Sequence, residues 1–175
     1  DCKMIVLKIG SALISSDENL SDKLIKSLTA QINDFIKKGM NFVIVTSGAI
    51  SQGQKILNIN QKPIELESLQ ALAAIGQQQL MGMYERSFQD YNLLTAQVLL
   101  THADMNDIQR HSNAKATIEK ILSMSVIPII NENDVVATDE IKLGDNDALA
   151  AMVSNLLDAD LMIILTNQQG LYDKN

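Results

Sequence analysis

Short apolar runs alternate with helical patterns along the whole of this chain. The runs have the length and composition of buried strands and lie at residues 4–7, 42–45, 94–100, 126–130 and 161–165. Strands that are apolar on both faces are typical of a parallel sheet covered by helices on its two sides. The sequence therefore predicts an α/β fold with a mostly parallel sheet, formed by one domain or by part of one.

The segments between these runs carry helical periodicity. The clearest helix is predicted between Ser21, a candidate N-cap, and Gly39, a candidate C-cap. Its apolar residues recur at the spacing of one helix face, and they are Leu24, Ile25, Leu28, Ile32, Phe35 and Ile36. Further helices are predicted just after Gly48 and over residues 65–89, 113–124 and 145–157, with a small exposed hairpin over 135–142.

The composition excludes several classes of protein. A net charge of −7 and a pI near 4.7 argue against a nucleic-acid-binding surface. No run approaches the roughly 18 to 20 apolar residues that span a bilayer, and no secretion signal is recognisable. Cys2 is the single cysteine and cannot form an internal disulfide. These features predict a cytoplasmic protein with no membrane and no nucleic-acid partner.

Two clusters of carboxylates and amides are the most informative polar features. Residues 131–134 (Asn-Glu-Asn-Asp) directly follow a predicted strand, and residues 144–147 (Gly-Asp-Asn-Asp) lie a short distance further on. Ligand sites in open α/β sheets lie just past the carboxyl ends of strands. Such acceptors can hold an ammonium group or surround a metal-bound phosphate. The alternative is a pair of solvated turns, because Asn and Asp favour turns for backbone reasons.

Lys8 lies at the end of the first predicted strand and is followed by Gly10 and Ser11. A lysine beside glycine and a hydroxyl at a helix start suits an anion. The alternative is a lysine that marks where the strand reaches solvent. Asp147 opens a predicted helix, where an acidic residue is favourable for the dipole alone. Its second interpretation is an organiser of nearby lysines for phosphoryl transfer.

Two further turns follow predicted strands. In residues 46–50 (Thr-Ser-Gly-Ala-Ile), small side chains leave backbone N–H groups open to a carboxylate or phosphate. Ordinary helix capping by Ser47 is the alternative. Thr166 and Asn167 follow the last strand, where they either approach a nucleotide or form a plain turn.

Several common active sites are absent from the sequence. There is no zinc-type Cys/His spacing, no phosphate-binding GxxxxGK[ST] loop, no GxGxxG after a strand and no GxSxG. His102 and His111 are interpreted as solvated surface residues.

The chain resembles the glutamate-phosphorylating members of the amino acid kinase family over essentially its whole length. The segments in register are residues 8–11, 45–50, 99–105, 131–134 and 142–147. Other members of that family carry a Gly-Gly-Gly type turn where this chain has residues 46–50. The resemblance implies a three-layer α/β/α sandwich. It also implies that residues 1–175 are the N-terminal portion of an amino acid kinase domain, without its nucleotide-binding C-terminal part or any PUA domain.

The resemblance implies an activity and its partners. The γ-phosphoryl group of ATP, carried with Mg²⁺, would pass to the side-chain carboxylate of L-glutamate and give glutamyl 5-phosphate, the first step of proline biosynthesis. Proline is the expected feedback inhibitor, and a homo-oligomer (dimer or tetramer) is the expected assembly. No residue is assigned as a metal ligand.

The resemblance also implies roles for individual residues. Catalytic roles fall to Lys8 and Asp147. The substrate-binding residues would be Ser47, Gly48, Asp134, Asp145 and Asn146. The nucleotide-binding residues would be Lys8, Gly10, Ser11, Thr166 and Asn167. Asn167 stands where the family usually has an acidic residue, which departs from the pattern.

Two alternatives stay open at this point. One is a kinase of the same fold acting on another small carboxylate, and the other is a non-catalytic module that binds glutamate or proline. A chain that ended at Asn175 would lack the family's second catalytic lysine and is expected to be inactive. It would also leave one edge of the sheet uncovered.

Overall fold

The central feature of the fold is a parallel β-sheet. The computed structural model describes residues 2–15, 18–138 and 146–167. Its strands are β1 (Met4–Ile9), β2 (Asn41–Thr46), β3 (Leu94–Leu100), β4 (Val126–Glu132) and β5 (Leu161–Leu165). In the described residues they form one sheet in the order β3-β4-β2-β1-β5, with every pairing parallel. The predicted parallel α/β sheet is confirmed.

Helices cover both faces of this sheet. They are α1 (Ser11–Ser15), α2 (Glu18–Ile36), α3 (Ala49–Ile56), α4 (Leu66–Gln89), α5 (His102–Asn106), α6 (Ile108–Ser123) and α7 (Asp147–Leu156). One apolar core joins the sheet to α1, α2, α3 and α4, and a second core joins it to α5, α6 and α7. The arrangement is the predicted three-layer sandwich.

The alternation of side chains along β1 shows how the two cores arise. Ile5, Leu7 and Ile9 belong to the core under α1–α4, whereas Val6 belongs to the core under α5–α7. Successive side chains of a strand point to opposite faces. Lys8 shares the parity of Val6, so its side chain leaves the sheet on the face that α7 covers.

Several observed elements differ from the predicted ones. Helix α2 begins at Glu18 rather than after Ser21, and α6 begins at Ile108 rather than near residue 113. Asp107 caps α6 by accepting a hydrogen bond from the backbone N–H of Arg110 at 2.8 Å, ahead of the apolar periodicity that guided the prediction. The predicted hairpin is not seen in its described part. Residues 134–136 form a turn, and residues 139–142 lie outside the described residues.

Strand β5 forms one edge of the sheet in the described part of the chain. Its side chains Leu161 and Ile164 are 46% and 41% exposed. An edge strand with exposed apolar side chains is the feature expected of an uncovered sheet edge. None of the described helices combines the length and the apolar character needed to cross a membrane.

Helices α3 and α4 cross at a close contact that depends on Gly76. A Cβ atom built on Gly76 would lie 1.8 Å from the carbonyl oxygen of Ala49 and 2.4 Å from the amide nitrogen of Gly53. Both neighbours are backbone atoms of α3, so no side-chain rotation can relieve the clash. Glycine at residue 76 therefore sets how closely α3 approaches α4, and with it the position of the α3 N-terminus.

Replacing Gly76 by alanine should separate the two helices. We expect Gly76→Ala to lower the free energy of unfolding by about 3 kcal/mol, the upper end of the usual overpacking cost. Gly82→Ala is the matched control in the same helix, because its Cβ would meet only the flexible end of Arg86. That control should raise stability by about 0.5–1 kcal/mol through helix propensity. Urea denaturation measures both variants, and equal effects would contradict the close-contact argument.

Candidate active site

The carboxyl ends of β1, β2 and β4 meet around one cleft of about 220 Å³. Parallel strands present these ends at the same edge of the sheet, which is where α/β proteins bind ligands. Hereafter "the cleft" means the space lined by Ser11, Ser47, Gly48, Ala49, Ile50, Ser51, Gln54, Lys62, Asn131, Glu132, Asp134 and Asn146. Four of the residues predicted to bind substrate, Ser47, Gly48, Asp134 and Asn146, are therefore brought together.

The turn between β2 and α3 forms one wall of the cleft. Gly48 is the N-cap of α3 and has φ 108° and ψ 8°, a left-handed conformation that glycine adopts without strain. The first backbone N–H groups of a helix lack intrahelical partners and carry partial positive charge. The Ser47 hydroxyl is buried and has no hydrogen-bond partner in the described residues. This wall can thus donate hydrogen bonds to an anionic group.

The turn is held in place by buried polar contacts on its far side. Gln52 donates from Nε2 to the carbonyl oxygen of Ile14 at 3.1 Å. The Thr46 hydroxyl and the Tyr84 hydroxyl lie 2.8 Å apart. Burial raises the pKa of the Tyr84 phenol above its usual range, with the hydrogen bond to Thr46 acting in the opposite direction. Tyr84 therefore stays neutral and acts as a fixed support for the end of β2.

Amide side chains connect β2, β4 and α7 at the floor of the cleft. Asn146 donates from Nδ2 to the carbonyl oxygen of Thr46 at 2.6 Å and to Oδ1 of Asn131 at 2.7 Å. Asn131 in turn donates from its Nδ2 to Oε1 of Gln77 at 2.8 Å. These bonds tie the N-cap of α7 to the ends of two strands. The floor is therefore a hydrogen-bonded network of amide groups.

Carboxylates from the end of β4 and the turn after it form another part of the cleft lining. Glu132 is only 4% exposed, and its Oε2 lies 3.2 Å from Nδ1 of His102. Burial raises the pKa of Asp134 to about 6, from an ordinary value of 3.8, while the charge of Lys62 works in the opposite direction. A cationic group placed beside these carboxylates would relieve the cost of burying them.

Lys8 and Asp147 form an ion pair next to the cleft. Nζ of Lys8 lies 2.6 Å from Oδ1 of Asp147, and the Lys8 residue is only 4% exposed. The interpretation of Lys8 as a lysine that reaches solvent is therefore wrong. The Asp147 side chain is 43% exposed and directly follows Asn146 of the cleft floor. The two residues predicted to be catalytic are thus in contact with each other.

The residues predicted to bind nucleotide lie at the ends of β1 and β5. The backbone N–H of Gly10 donates to the carbonyl oxygen of Leu165 at 2.9 Å, which joins the β1–α1 turn to the end of β5. Thr166 and Asn167 follow β5 directly and are exposed. Ser11 lines the cleft itself. The structure therefore places this set beside Lys8.

Some functional residues did not stand out in the sequence, and one predicted residue is not described. His102 is half-buried against Glu132, so its interpretation as a solvated surface residue is wrong. Gln77 falls within the helix predicted over residues 65–89 and received no role in a site from the sequence. Its contact with Asn131 spans 54 positions, and no local pattern predicts such a pairing. Asp145, predicted to bind substrate, lies outside the described residues.

The described part of the chain holds no group of three or more His, Cys, Asp or Glu side chains arranged to bind a metal ion. The cleft offers hydrogen-bond donors from the β2–α3 turn and carboxylates from the end of β4 and the turn after it. The buried Lys8 lies next to the cleft at the end of β1. That combination suits a zwitterionic molecule placed beside a phosphate.

Comparison with the profiles of known protein families shows the family of this chain. The profile of the amino acid kinase family matches residues 3–175. The chain belongs to the amino acid kinase family. The solved structure of a carbamate kinase from Giardia has a similar fold. The two structures match with a TM-score of 0.61 at 16% sequence identity, and the match covers 95% of this chain and 73% of that one.

Curated proteins give a more specific similarity within the amino acid kinase family. The chain is 49% identical over 172 residues to a protein named glutamate 5-kinase from Marinomonas sp. (strain MWYL1). It is 50% identical over 169 residues to a glutamate 5-kinase from Laribacter hongkongensis (strain HLHK9). These matches cover 98% and 96% of this chain but only 46% and 45% of the two relatives. The chain thus spans less than half the length of the proteins it matches.

The buried carboxylate of Asp134 should impose a measurable pH dependence on stability. Its folded-state pKa of about 6 lies above the ordinary 3.8, so the folded protein holds this proton more tightly than the unfolded chain. Ionisation therefore costs folding free energy, and the cost grows as the pH rises between about 4 and 6. In the ligand-free protein, Asp134→Asn should be more stable than the parent by about 1–3 kcal/mol at neutral pH. Denaturation across this pH range measures the gap, and a gap that is the same at pH 4 would contradict the explanation.

Proposed function

We propose that the chain is the acceptor-binding part of an ATP-dependent glutamate 5-kinase. The observation that carries the proposal is a cleft lined by hydrogen-bond donors and by carboxylates, beside which the buried Lys8 forms an ion pair with the partly exposed Asp147. Identity near 50% to proteins named glutamate 5-kinase supports this acceptor over other small carboxylates. The activity is proposed for the whole protein to which the chain contributes.

The proposed acceptor fits the two walls of the cleft. The α-carboxylate of glutamate would receive hydrogen bonds from Ser47 and from the backbone of the Gly48 turn. Its ammonium group would lie against Asp134 and Asn146. The side-chain carboxylate would then point towards Lys8, whose neighbour Ile9 is in register with Thr46 at the base of the β2–α3 turn.

The proposed reaction depends on the positioning of the two substrates and on cations near the phosphoryl group more than on proton transfer. A carboxylate oxygen of glutamate attacks the γ-phosphorus of ATP, the bond to the bridging oxygen breaks, and ADP leaves with that electron pair. The attacking carboxylate is already ionised at neutral pH, so no general base is needed. Lys8 stabilises negative charge on the transferring group, and Asp147 orients the Lys8 ammonium. A site without a poised histidine can therefore perform this reaction.

Gly10, Ser11, Thr166 and Asn167 are proposed to lie along the nucleotide. Their position beside Lys8, at the ends of β1 and β5, supports this assignment. Mg²⁺ would arrive on the phosphates of ATP and neutralise part of their charge. Feedback by proline, a cytoplasmic location and a homo-oligomeric assembly are further parts of the proposal that follow from the similarity to glutamate 5-kinases.

Trapping the acyl phosphate tests the proposed reaction directly. The full-length protein is incubated with MgATP and hydroxylamine, and glutamate, aspartate and N-acetylglutamate are offered separately. A hydroxamate formed with glutamate alone is the expected result. A signal with a different acceptor would replace glutamate as the substrate, and no signal with any acceptor would favour the alternative of a non-catalytic amino-acid-binding module.

Removing the Lys8 ammonium should reduce turnover without removing the acceptor site. We expect Lys8→Ala to lower kcat by about 100-fold or more, the effect of losing a group that stabilises transition-state charge. The glutamate affinity, measured by calorimetry, should change little. Lys120→Ala, an exposed lysine of α6, is the control and should leave both quantities unchanged. Loss of glutamate binding with intact turnover would overturn the role given to Lys8.

Removing the charge of Asp134 should weaken glutamate binding more than it reduces turnover, which is the reverse of the effect expected for Lys8. We expect Asp134→Asn to raise the glutamate KM by about 10- to 100-fold, the value of a hydrogen bond to a charged group, with a smaller change in kcat. The KM for MgATP should be unchanged, because Asp134 lies on the acceptor side of the cleft. Steady-state kinetics separates these quantities, and an unchanged glutamate KM would remove Asp134 from the substrate site.

A further inference from the structure

The amide groups at the cleft floor continue as a directional chain to the surface. Asn146 donates to Asn131 at 2.7 Å, Asn131 donates to Gln77 at 2.8 Å, and Gln77 donates from Nε2 to Oε1 of Gln97 at 3.4 Å. Each amide offers its nitrogen to the next oxygen, so the orientation of one amide sets the orientation of its neighbour. The chain of amides ends at Gln97, an exposed residue of β3.

This direction determines which atom Asn146 presents to a ligand. Both hydrogens of its Nδ2 are used within the protein, one for the carbonyl oxygen of Thr46 and one for Asn131. An asparagine side chain has two donors on nitrogen and acceptor capacity on oxygen. The group that Asn146 can offer in the cleft is therefore its Oδ1, an acceptor. A ligand group that meets Asn146 must bring a hydrogen-bond donor.

We propose that Gln77 is a positioning residue that makes Asn146 an acceptor for the ammonium group of an amino-acid substrate. The inference rests on the proposed function and adds a residue of α4 to the determinants of substrate specificity. Gln77 Oε1 accepts from Asn131 Nδ2, which obliges Asn131 to turn its Oδ1 towards Asn146. Without that acceptor, the Asn131 amide can rotate and present its nitrogen to Asn146, where two donors would then face each other.

The position of Gln77 suits this role better than a general packing role. It follows Gly76, the residue of closest α3–α4 contact, so the helix backbone at this point is fixed. Its side chain is half-buried and reaches the end of β4 from outside the cleft. Gln77 does not line the cleft and does not touch the substrate position. Its influence on the substrate must pass through Asn131 and Asn146.

The neighbouring residue Gln78 provides a matched control. It has the same side chain on the same helix and is exposed, and its side chain forms no hydrogen bond within the described residues. Gln77→Met and Gln78→Met each remove one amide while keeping a similar length and helix propensity. Gln77→Glu is the conservative variant, because a carboxylate keeps the acceptor that Asn131 needs.

Kinetics on the full-length protein tests the proposal. We expect Gln77→Met to raise the glutamate KM about tenfold, as for one misdirected buried amide, with the MgATP KM and kcat within about twofold of the parent. Gln77→Glu should restore most of the affinity, and Gln78→Met should match the parent. An unchanged glutamate KM in Gln77→Met, or equal losses in Gln77→Met and Gln77→Glu, would overturn the positioning role.

A second measurement tests the hydrogen bonds along the chain of amides and does not depend on enzyme activity. In ¹⁵N-labelled protein, the assigned side-chain NH₂ group of Asn146 should exchange slowly with solvent. That protection should be lost in Gln77→Met and kept in Gln78→Met, with both variants folded by backbone spectra. Protection that persists in Gln77→Met would overturn the inference. If the parent forms no hydroxamate with glutamate but the exchange result holds, the proposed function fails while the positioning of Asn146 by Gln77 stands.

Discussion

Parallel pairing of β1, β2 and β4 is the constraint on which the rest of the site depends. It places the carboxyl ends of three strands that are distant in sequence at one edge of the sheet. The polar groups of the cleft come from those ends or from the turns and helix that follow them. Because the strand interiors are apolar on both faces, two apolar cores hold the sheet, one on each face. The cleft can therefore bury charged side chains on a frame that does not depend on them.

Burial of charge is the main cost that this arrangement carries. Lys8 and Glu132 are almost fully buried, and each contacts an oppositely charged or ionisable partner, Asp147 or His102. Asp134 is different, because the opposing charge of Lys62 does not outweigh the effect of burial on its pKa. Sites that bind charged ligands commonly hold groups whose environment favours the ligand over the free state. The carboxylate of Asp134 fits that description, since a bound ammonium group would supply the missing stabilisation.

Much of this architecture could be predicted from the sequence, for reasons that differ between elements. Strands such as β2 and β5 are apolar on both faces and are bounded by polar residues, so their positions follow from composition alone. The close approach of Lys8 and Asp147 was implied only by the family resemblance, because they come from elements 139 positions apart (147 − 8). The start of α6 was missed because its cap, Asp107, is followed by Ile108, an exposed residue outside the periodic pattern. The pairings of Gln77 with Asn131 and of His102 with Glu132 depend on tertiary placement, which periodicity does not encode.

The left-handed turn at Gly48 limits how mutation could change the proposed acceptor. In the proposed site, the anionic group of the acceptor is bound largely by backbone N–H groups of this turn, and any other residue at position 48 would strain the turn. Single substitutions can therefore hardly change the backbone hydrogen-bond donors of this turn. The carboxylates of the cleft are side chains, Glu132 at the end of β4 and Asp134 in the turn after it, which substitution can change. Substitutions at the end of β4 are therefore the ones that can change the proposed acceptor. The β2–α3 turn would continue to require an acceptor that carries an anionic group.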